Sequence, residues 1–425
     1  MAQLEASNCR EYLFLKFSIC GELASIEISD GLPYAHNYVL AEIKKMRDER
    51  LIYAYKYSDR KRYYRITNAA GGLSKLKELC GEEALLHFNL MIGCDEAIYS
   101  GTKESRLKQR RLYEVCALFV SMGYEIDGIK IKKDSDNFGL RSRAAAGSDE
   151  NDSCTEVPAK RGFSSDSVFY AEGEMTGLKS VPEIFASRNP NEYSFITCKA
   201  LRKVSSEGLQ LHPRAQMYRV MGILLHRKII YAVYYFRGSG EIWWKDTEVQ
   251  FAFQAWRMAA MNLKAFSGVE NAGLRKAIIF VPTKDVATDF ITNRTKRVKV
   301  NPNDVYNLVY VVPLKENVRS IISMLMIDGW KEKLNAVLSV KPSTDEEAED
   351  GWMDSGAGMF NFLCCNVGRM KMMAERIKAT NATIVIHDWQ VEIAQHLYGK
   401  NVSMVVIDAK MFDVLLEAVK QSTLK

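Results

Sequence analysis

Residues 11–79 carry the pattern that most constrains the fold of this chain. Two helical segments come first, and two short strands rich in tyrosine and arginine follow them. The second helix is predicted over residues 36–52, and the strands over 53–57 and 62–67, with a charged turn at 58–61. Tyrosines alternate with smaller or polar residues in the first strand, which is the period of two that a strand requires. The order is therefore two helices and then a hairpin.

The second helix has an apolar face and basic residues elsewhere. Apolar residues that recur at helical spacing are expected to be buried together: Val39, Leu40, Ile43, Met46 and Leu51. Basic residues fall mostly on the other faces: Lys44, Lys45, Arg47 and Arg50. We expect them to meet a major groove or phosphates, as the second helix of a helix-turn-helix does.

The turn of the hairpin is also basic, because it carries Arg60, Lys61 and Arg62. These side chains would reach a phosphate backbone or a minor groove. Helices and hairpin together predict a winged helix-turn-helix that binds double-stranded DNA. The alternative is a helix and hairpin domain that contacts another protein through the same elements.

Composition sets broad limits on function. The chain has 425 residues, enough for two to three domains, and a net charge of +6 that admits an anionic partner without demanding one. Its 9 cysteines include no CxxC pair, so all are expected to be reduced thiols. The first ten residues are polar and no apolar run reaches membrane-spanning length, which predicts a cytoplasmic protein with no membrane partner.

Four segments are predicted along the chain. They are a winged-helix DNA-binding domain (1–80), a helical connector (81–133), a flexible linker (134–167) and an α/β domain (168–425), so the fold class is α+β or α/β. The basic cluster at 108–111 is expected on a solvated helix face. In the last segment, strands and helices alternate. We expect a helix over 215–222, and buried strands at 229–236, 276–281, 306–312, 382–386 and 402–407.

Carboxylates that follow the predicted strand at 229–236 are the candidates for chemistry. Glu241, Asp246 and Glu248 could hold Mg²⁺ for a phosphodiester cleavage, with Lys245 stabilising the developing charge. The alternative is that Asp246 caps the following helix and Glu248 occupies its first turn.

Three further patterns have ordinary structural explanations. His387 and Asp388 follow a buried strand, where a catalytic pair could lie, but a buried strand-end histidine is the simpler interpretation. Tyrosines that could supply a nucleophile are more simply packing residues: Tyr231, Tyr234 and Tyr235. Glu172 and Glu174 would lie on one face if the preceding strand continued, where both could serve a metal site, but a solvated turn is the simpler interpretation.

The order of parts, and the run over residues 215–248, resemble a known group of proteins. The run reads A-Q-M-Y-R-V-M-G-I-L-L, then I-Y-A-V-Y, then W-W-K-D-T-E. It resembles the replication–relaxation family of mobile elements and the MobC class of plasmid relaxases. The resemblance implies a restriction-endonuclease-like domain and a winged helix that binds DNA at a transfer or replication origin.

From the same resemblance, Arg219 (on the predicted helix before Gly222) and Glu248 are carried over as site residues. The resemblance implies metal-dependent nicking with Mg²⁺ and other transfer or replication proteins as partners. A second copy of the chain is another expected partner, because the helical connector could dimerise the protein. The chain has no clear Pro-Asp before a strand and no E-x-K on a strand. The alternative is therefore a non-catalytic replication initiator or transcriptional regulator.

Overall fold

A computed structural model describes the larger part of the chain. The described residues are 2–6, 8–32, 34–56, 61–67, 71–93, 103–133, 192–203, 219–227, 229–238, 252, 256, 276–292, 306–338, 359–364, 367–380 and 382–422. They form a mixed α and β fold with several sheets. The chain divides into two compact units, of which the first is Met1–Leu211 with Gln216–Arg227 and Asn262–Lys264, and the second is the remainder.

The first unit begins with the segment that the sequence singled out. Its elements are β1 (Ala2–Ala6), α1 (Cys9–Cys20), β2 (Leu23–Ala24), α2 (Ser25–Ile28), α3 (His36–Asp48), β3 (Ile52–Lys56) and β4 (Arg62–Ile66). The predicted second helix and both hairpin strands are confirmed, although the helix ends at Asp48 rather than at residue 52.

The rest of the first unit supplies two long helices and a second sheet. Its elements are α4 (Gly72–Gly93, with a break at Gly81), α5 (Lys103–Ser121), β5 (Glu125–Ile126), β6 (Ile129–Lys133), β7 (Ser194–Thr197), α6 (Cys198–Lys203) and β8 (Val220–His226). Five strands of this unit follow the order β1-β6-β5-β7-β8, with β1 parallel to β6 and β7 antiparallel to β8.

Helix α1 lies at the centre of the first unit's core. Every residue from Tyr12 to Cys20 is buried. A helix that is buried on all sides needs partners on all sides, and α1 contacts α3, α4 and α5. The helices of the predicted winged domain and those of the predicted connector therefore share one core.

Two predictions about this unit are wrong. The connector predicted over residues 81–133 is not helical throughout, because β5 and β6 follow α5 and pair with each other antiparallel. The helix predicted over 215–222 is also wrong at its described end. Arg219 directly precedes strand β8, and Gly222 pairs with Thr197 of β7. Pairing with β7 has overridden the local helix preference.

The second unit contains two parallel sheets with helices between their strands. Its elements are β9 (Ile229–Tyr235), β10 (Lys276–Val281), α7 (Lys284–Thr292), β11 (Leu308–Pro313), α8 (Val318–Leu325), α9 (Trp330–Val337), β12 (Met359–Asn361), α10 (Val367–Met372), α11 (Ala374–Thr380), β13 (Thr383–His387), a 3₁₀ turn (Asp388–Gln390), α12 (Val391–Tyr398), β14 (Ser403–Ile407) and α13 (Ala409–Gln421). Strand β10 lies between β9 and β11, and β13 lies between β12 and β14.

The predicted alternation of strands and helices in this unit is confirmed, with one difference in burial. Strands β9 and β11 are buried along their whole length, as expected of parallel strands covered on both faces. Strand β14 was expected to be buried, but Val405 and Val406 are 40% and 41% exposed. The reason is its position at the edge of the three-stranded sheet.

Candidate nucleic-acid interface

The first unit arranges α1, α2, α3 and a three-stranded antiparallel sheet in one continuous segment, residues 9–66. The sheet order is β2-β4-β3, so the short strand before α2 pairs with the second strand of the hairpin. The hairpin register runs from Ile52 opposite Ile66 to Lys56 opposite Arg62. Helix α3 directly precedes the hairpin in the chain.

Helix α3 divides into a buried and an exposed face, as its periodicity predicts. Val39, Ile43 and Met46 are at most 3% exposed. Leu51, beyond the helix, is also buried, whereas Leu40 is half-buried. The opposite face is exposed and carries Asn37, Ala41, Lys44 and Asp48.

Arg10 of α1 holds the C-terminal end of α3. Its Nη1 and Nη2 donate to the two carboxylate oxygens of Glu49, each at 2.8 Å, and its Nε donates to Glu42 Oε1 at 2.6 Å. The hydrogen bonds from Arg10 lower the pKa of Glu49. At the other end of α3, Ser29 Oγ and His36 Nδ1 are 2.7 Å apart. The helix is thus fixed at both ends.

Lys16 of α1 holds the chain at the end of α2 by hydrogen bonds to its backbone carbonyls. It is completely buried on α1, and its Nζ donates to the backbone carbonyls of Ile28 at 3.3 Å and Asp30 at 2.6 Å, and also to that of Glu27. In the same segment Gly31 has φ +76°, and a Cβ there would lie 2.8 Å from Ser121 Cα. The sequence signal for Lys16 was a lysine within an otherwise apolar helix, a pattern that requires buried acceptors.

Arg110 of α5 ties the hairpin to the rest of the unit. Its Nη1 donates to the carbonyl of Glu22 at 3.2 Å, its Nη2 pairs with Glu27, and its guanidinium lies 5.1 Å from the Tyr63 ring centre. The hydroxyl of Tyr55 on β3 donates to the Glu22 carboxylate. Both Arg110 and Arg111 are buried, so the expectation of a solvated basic face at 108–111 is wrong for these two residues.

The basic residues predicted to contact DNA differ in their availability. Lys44 and Arg50 are exposed. Lys45 has a 65% exposed side chain, with its Nζ 3.6 Å from Glu42 Oε2. Arg47 is half-buried, with Nη2 4.0 Å from Asp48 Oδ1.

At the hairpin, Lys61 is exposed and Arg62 half-buried, whereas Arg60 lies outside the described residues. The exposed cations Lys44, Lys45, Arg50 and Lys61 are the ones able to meet phosphate directly. We call Lys44 and Lys45, together with Arg50 just beyond the helix, the basic face of α3.

The predicted catalytic and metal-binding residues Glu241, Lys245, Asp246 and Glu248 lie outside the described residues. Arg219, the fifth member of that set, is half-buried before β8. Within the described ranges, no group of three or more His, Cys, Asp or Glu side chains could hold a metal ion. The six cysteines that are described are buried thiols outside any disulfide.

The tyrosines of β9 are packing residues. Tyr231 donates its hydroxyl to the carbonyl of Leu325 at 2.9 Å, and the hydroxyls of Tyr234 and Tyr306 are 2.7 Å apart. Burial raises the pKa of Tyr231 far above its usual value. A buried, neutral and hydrogen-bonded phenol is poorly placed to act as a nucleophile.

His387, at the end of β13, is a buried neutral histidine. Its Nε2 lies 3.8 Å from Cys364 Sγ, and its ring packs on Phe412 with centroids 4.6 Å apart. Burial lowers the pKa of His387 to about 3 and raises that of the Cys364 thiol well above its usual value. A neutral thiol beside a neutral imidazole fits the structural interpretation of this residue better than a catalytic one.

The burial of His387 predicts a pH dependence of stability. Between its pKa of about 6.5 when unfolded and about 3 when folded, only the unfolded state binds the proton, so stability falls as the pH falls through this window. Between pH 6.5 and pH 5, the free energy of unfolding should fall by about 2 kcal/mol because of His387. Urea unfolding at the two pH values measures it. His387→Gln should remove that part of the loss, and an identical loss in the variant would contradict the assignment.

Comparison of the chain with protein-family models, with curated proteins and with solved structures found no match. None of the described helices has the length and apolar character that crossing a membrane requires.

Proposed function

We propose that residues 8–67 form a winged helix-turn-helix that binds double-stranded DNA. The order α1-β2-α2-α3-β3-β4, with sheet order β2-β4-β3, supports the proposal, since it provides a short helix α2, a longer helix α3 that begins eight residues after α2 ends, and a hairpin after α3. In such domains the second helix enters the major groove and the hairpin follows the backbone.

The observation that carries the proposal is the basic face of α3. This face lies opposite the core residues Val39, Ile43 and Met46, so the lysines project where a duplex can approach. Of the acidic residues near this face, Glu49 pairs with Arg10, and Glu42 with both Arg10 and Lys45. Asp48 Oδ1 lies 4.0 Å from Arg47 Nη2. Lys61 adds a cation at the hairpin. Phosphate contacts by such exposed cations supply most of the affinity of a DNA-binding protein.

The wider proposal is that the protein acts at a transfer or replication origin of a mobile element as a relaxase-like nicking protein. Its support is the resemblance of residues 215–248, together with the position of residues 241–248 shortly after the buried strand β9. Mg²⁺ held by Glu241, Asp246 and Glu248 would activate the attacking group and neutralise phosphate charge. The alternative is a replication initiator or regulator that binds without cutting.

Substitutions on the basic face test DNA binding. Lys44→Ala combined with Arg50→Ala should weaken binding to a random-sequence duplex roughly ten-fold at moderate salt, because two phosphate contacts are lost. The measurement is fluorescence anisotropy with a labelled duplex. Lys410→Ala removes an exposed lysine of α13 in the second unit and should leave the affinity unchanged. Equal affinities for all three proteins would contradict the assignment of the interface.

Nicking is tested separately, with supercoiled plasmid incubated with Mg²⁺ or with EDTA. Metal-dependent relaxation by the wild type that is lost in Glu248→Ala would support the relaxase-like activity. Shifted but uncut DNA would favour the binding protein.

A further inference from the structure

The exposed face of α3 carries one polar side chain that can read a base as well as a phosphate. Asn37 lies two residues from Val39, which places it about 200° round the helix from the buried face. It is exposed, and within the described part of the chain its side chain makes no hydrogen bond or ion pair. By contrast, the neighbouring His36 is close to Ser29 Oγ.

Asn37, Ala41 and Lys44 follow one another along the same exposed stripe, one helical turn apart. The stripe spans roughly 10 Å, about three base-pair steps. Ala41 is exposed and small, so the helix backbone can come close to the base edges beside it. Lys44, one turn further on, is exposed and available for a phosphate.

From these positions we infer that Asn37 reads an adenine in the major groove. This inference rests on the proposed DNA binding. A carboxamide matches adenine because its oxygen accepts from N6–H and its amino group donates to N7, a pair of bonds that no other base edge offers in that arrangement. Residues near the N-terminal end of the second helix are those that contact bases, and Asn37 is the second residue of α3.

The position of the helix supports this base contact. Base reading requires a helix whose orientation is fixed, since a displaced amide cannot make two bonds at once. Arg10 holds Glu42 of α3 and Glu49 directly after the helix, and Lys16 holds backbone carbonyls that precede the helix. Cations outnumber acids on the surrounding surface, because exposed Lys44, Lys45 and Arg50 lie on the same helix or directly after it, and Asp48 lies beside Arg47.

Selection from a pool of duplexes with a randomised central segment tests the inference. The full-length wild type should select sites with one fixed A·T pair, and Asn37→Ala should lose that preference. With the selected duplex, replacing the A·T pair by G·C should weaken wild-type binding roughly ten-fold or more. For Asn37→Ala, the two duplexes should bind equally. The thermal unfolding midpoint should be unchanged, since Asn37 is a surface residue without partners.

Lys44→Ala is the control, because loss of a phosphate contact weakens all sequences alike and lowers the salt slope by about 1. Two results would overturn the inference and leave the proposed function intact. In the first, the wild type binds DNA without base preference. In the second, the A·T preference persists in Asn37→Ala. A wild type that binds no duplex at all would overturn both.

Discussion

Replacing Arg110 by methionine is expected to lower the free energy of unfolding by about 3–5 kcal/mol. Arg110 is buried between the carboxylates of Glu22 and Glu27. Burial alone would lower its pKa, but Glu27 and Glu22 more than offset this and raise it above its usual value. Methionine fills a similar volume but leaves two carboxylates in a site with little access to water, which is the costly way to break a buried ion pair.

Urea unfolding of full-length wild type and Arg110→Met measures this loss. The matched control is Lys420→Met on α13, whose Nζ lies 2.7 Å from Glu417 at an exposed position and which should cost less than about 1 kcal/mol. Arg110→Lys keeps the charge and should recover part of the loss, though not the contacts of the planar guanidinium. A loss in Arg110→Met no larger than in the control would contradict the structural role assigned to Arg110.

Breaking the His87–Asp127 pair is the second change expected to have a large effect. His87 Nδ1 is 3.0 Å from the carbonyl of Ser18, and its Nε2 is 3.0 Å from Asp127 Oδ2. Both ring nitrogens of this buried histidine therefore lie at hydrogen-bond distance from an oxygen. Asp127 also accepts from the backbone N–H and hydroxyl of Thr197. The network thereby connects α1, α4, β7 and the β5–β6 turn.

Asp127→Ala should therefore destabilise the protein by about 3 kcal/mol or more, because it strands the buried donors of His87 and Thr197. It also places alanine at φ 50°, a conformation that Asp and Asn tolerate better. Asp127→Asn keeps that conformation and one acceptor, and should cost clearly less. A double-mutant cycle of Asp127→Asn with His87→Gln, followed by urea unfolding, measures the coupling. Additive effects of the two substitutions would show that the pair is not a unit.

The division of α3 into two faces was predictable because it depends on local periodicity alone. Val39, Ile43 and Met46 recur at helical spacing and are buried. Because Lys44 and Lys45 lie on other faces of the same helix, they are exposed. Parallel strands such as β9 and β11 were predictable for a similar reason, since strands covered on both faces are continuous apolar runs.

The polar network of the first unit could not be predicted, because its partners are distant in sequence. Arg110 and Glu27 are 83 residues apart, and His87 and Asp127 are 40 residues apart. The composition of the basic cluster at 108–111 does not show whether its side chains face solvent or buried carboxylates. Position in a sheet is likewise a tertiary property. The apolar run of β14 resembles that of a central strand, and only the sheet order shows it to be an edge.

Within the candidate interface, the sequence identified the basic residues but neither Asn37 nor the groups that orient α3. Arg10 and Lys16 lie on α1, and their role depends on how α1 packs beneath α2 and α3. For Lys16, the available signal was a lysine within a largely apolar helix, which requires acceptors when it is buried.

The salt dependence of duplex binding by the wild-type protein tests the central claim most directly. A protein that meets DNA through the basic face of α3 and the hairpin should bind a random-sequence duplex at low salt. Its affinity should then fall linearly on a log–log plot, with a slope of roughly −3 or steeper for several phosphate contacts. Absence of binding at low salt, or an affinity that barely changes with salt, would contradict the claim and favour a protein partner for this unit.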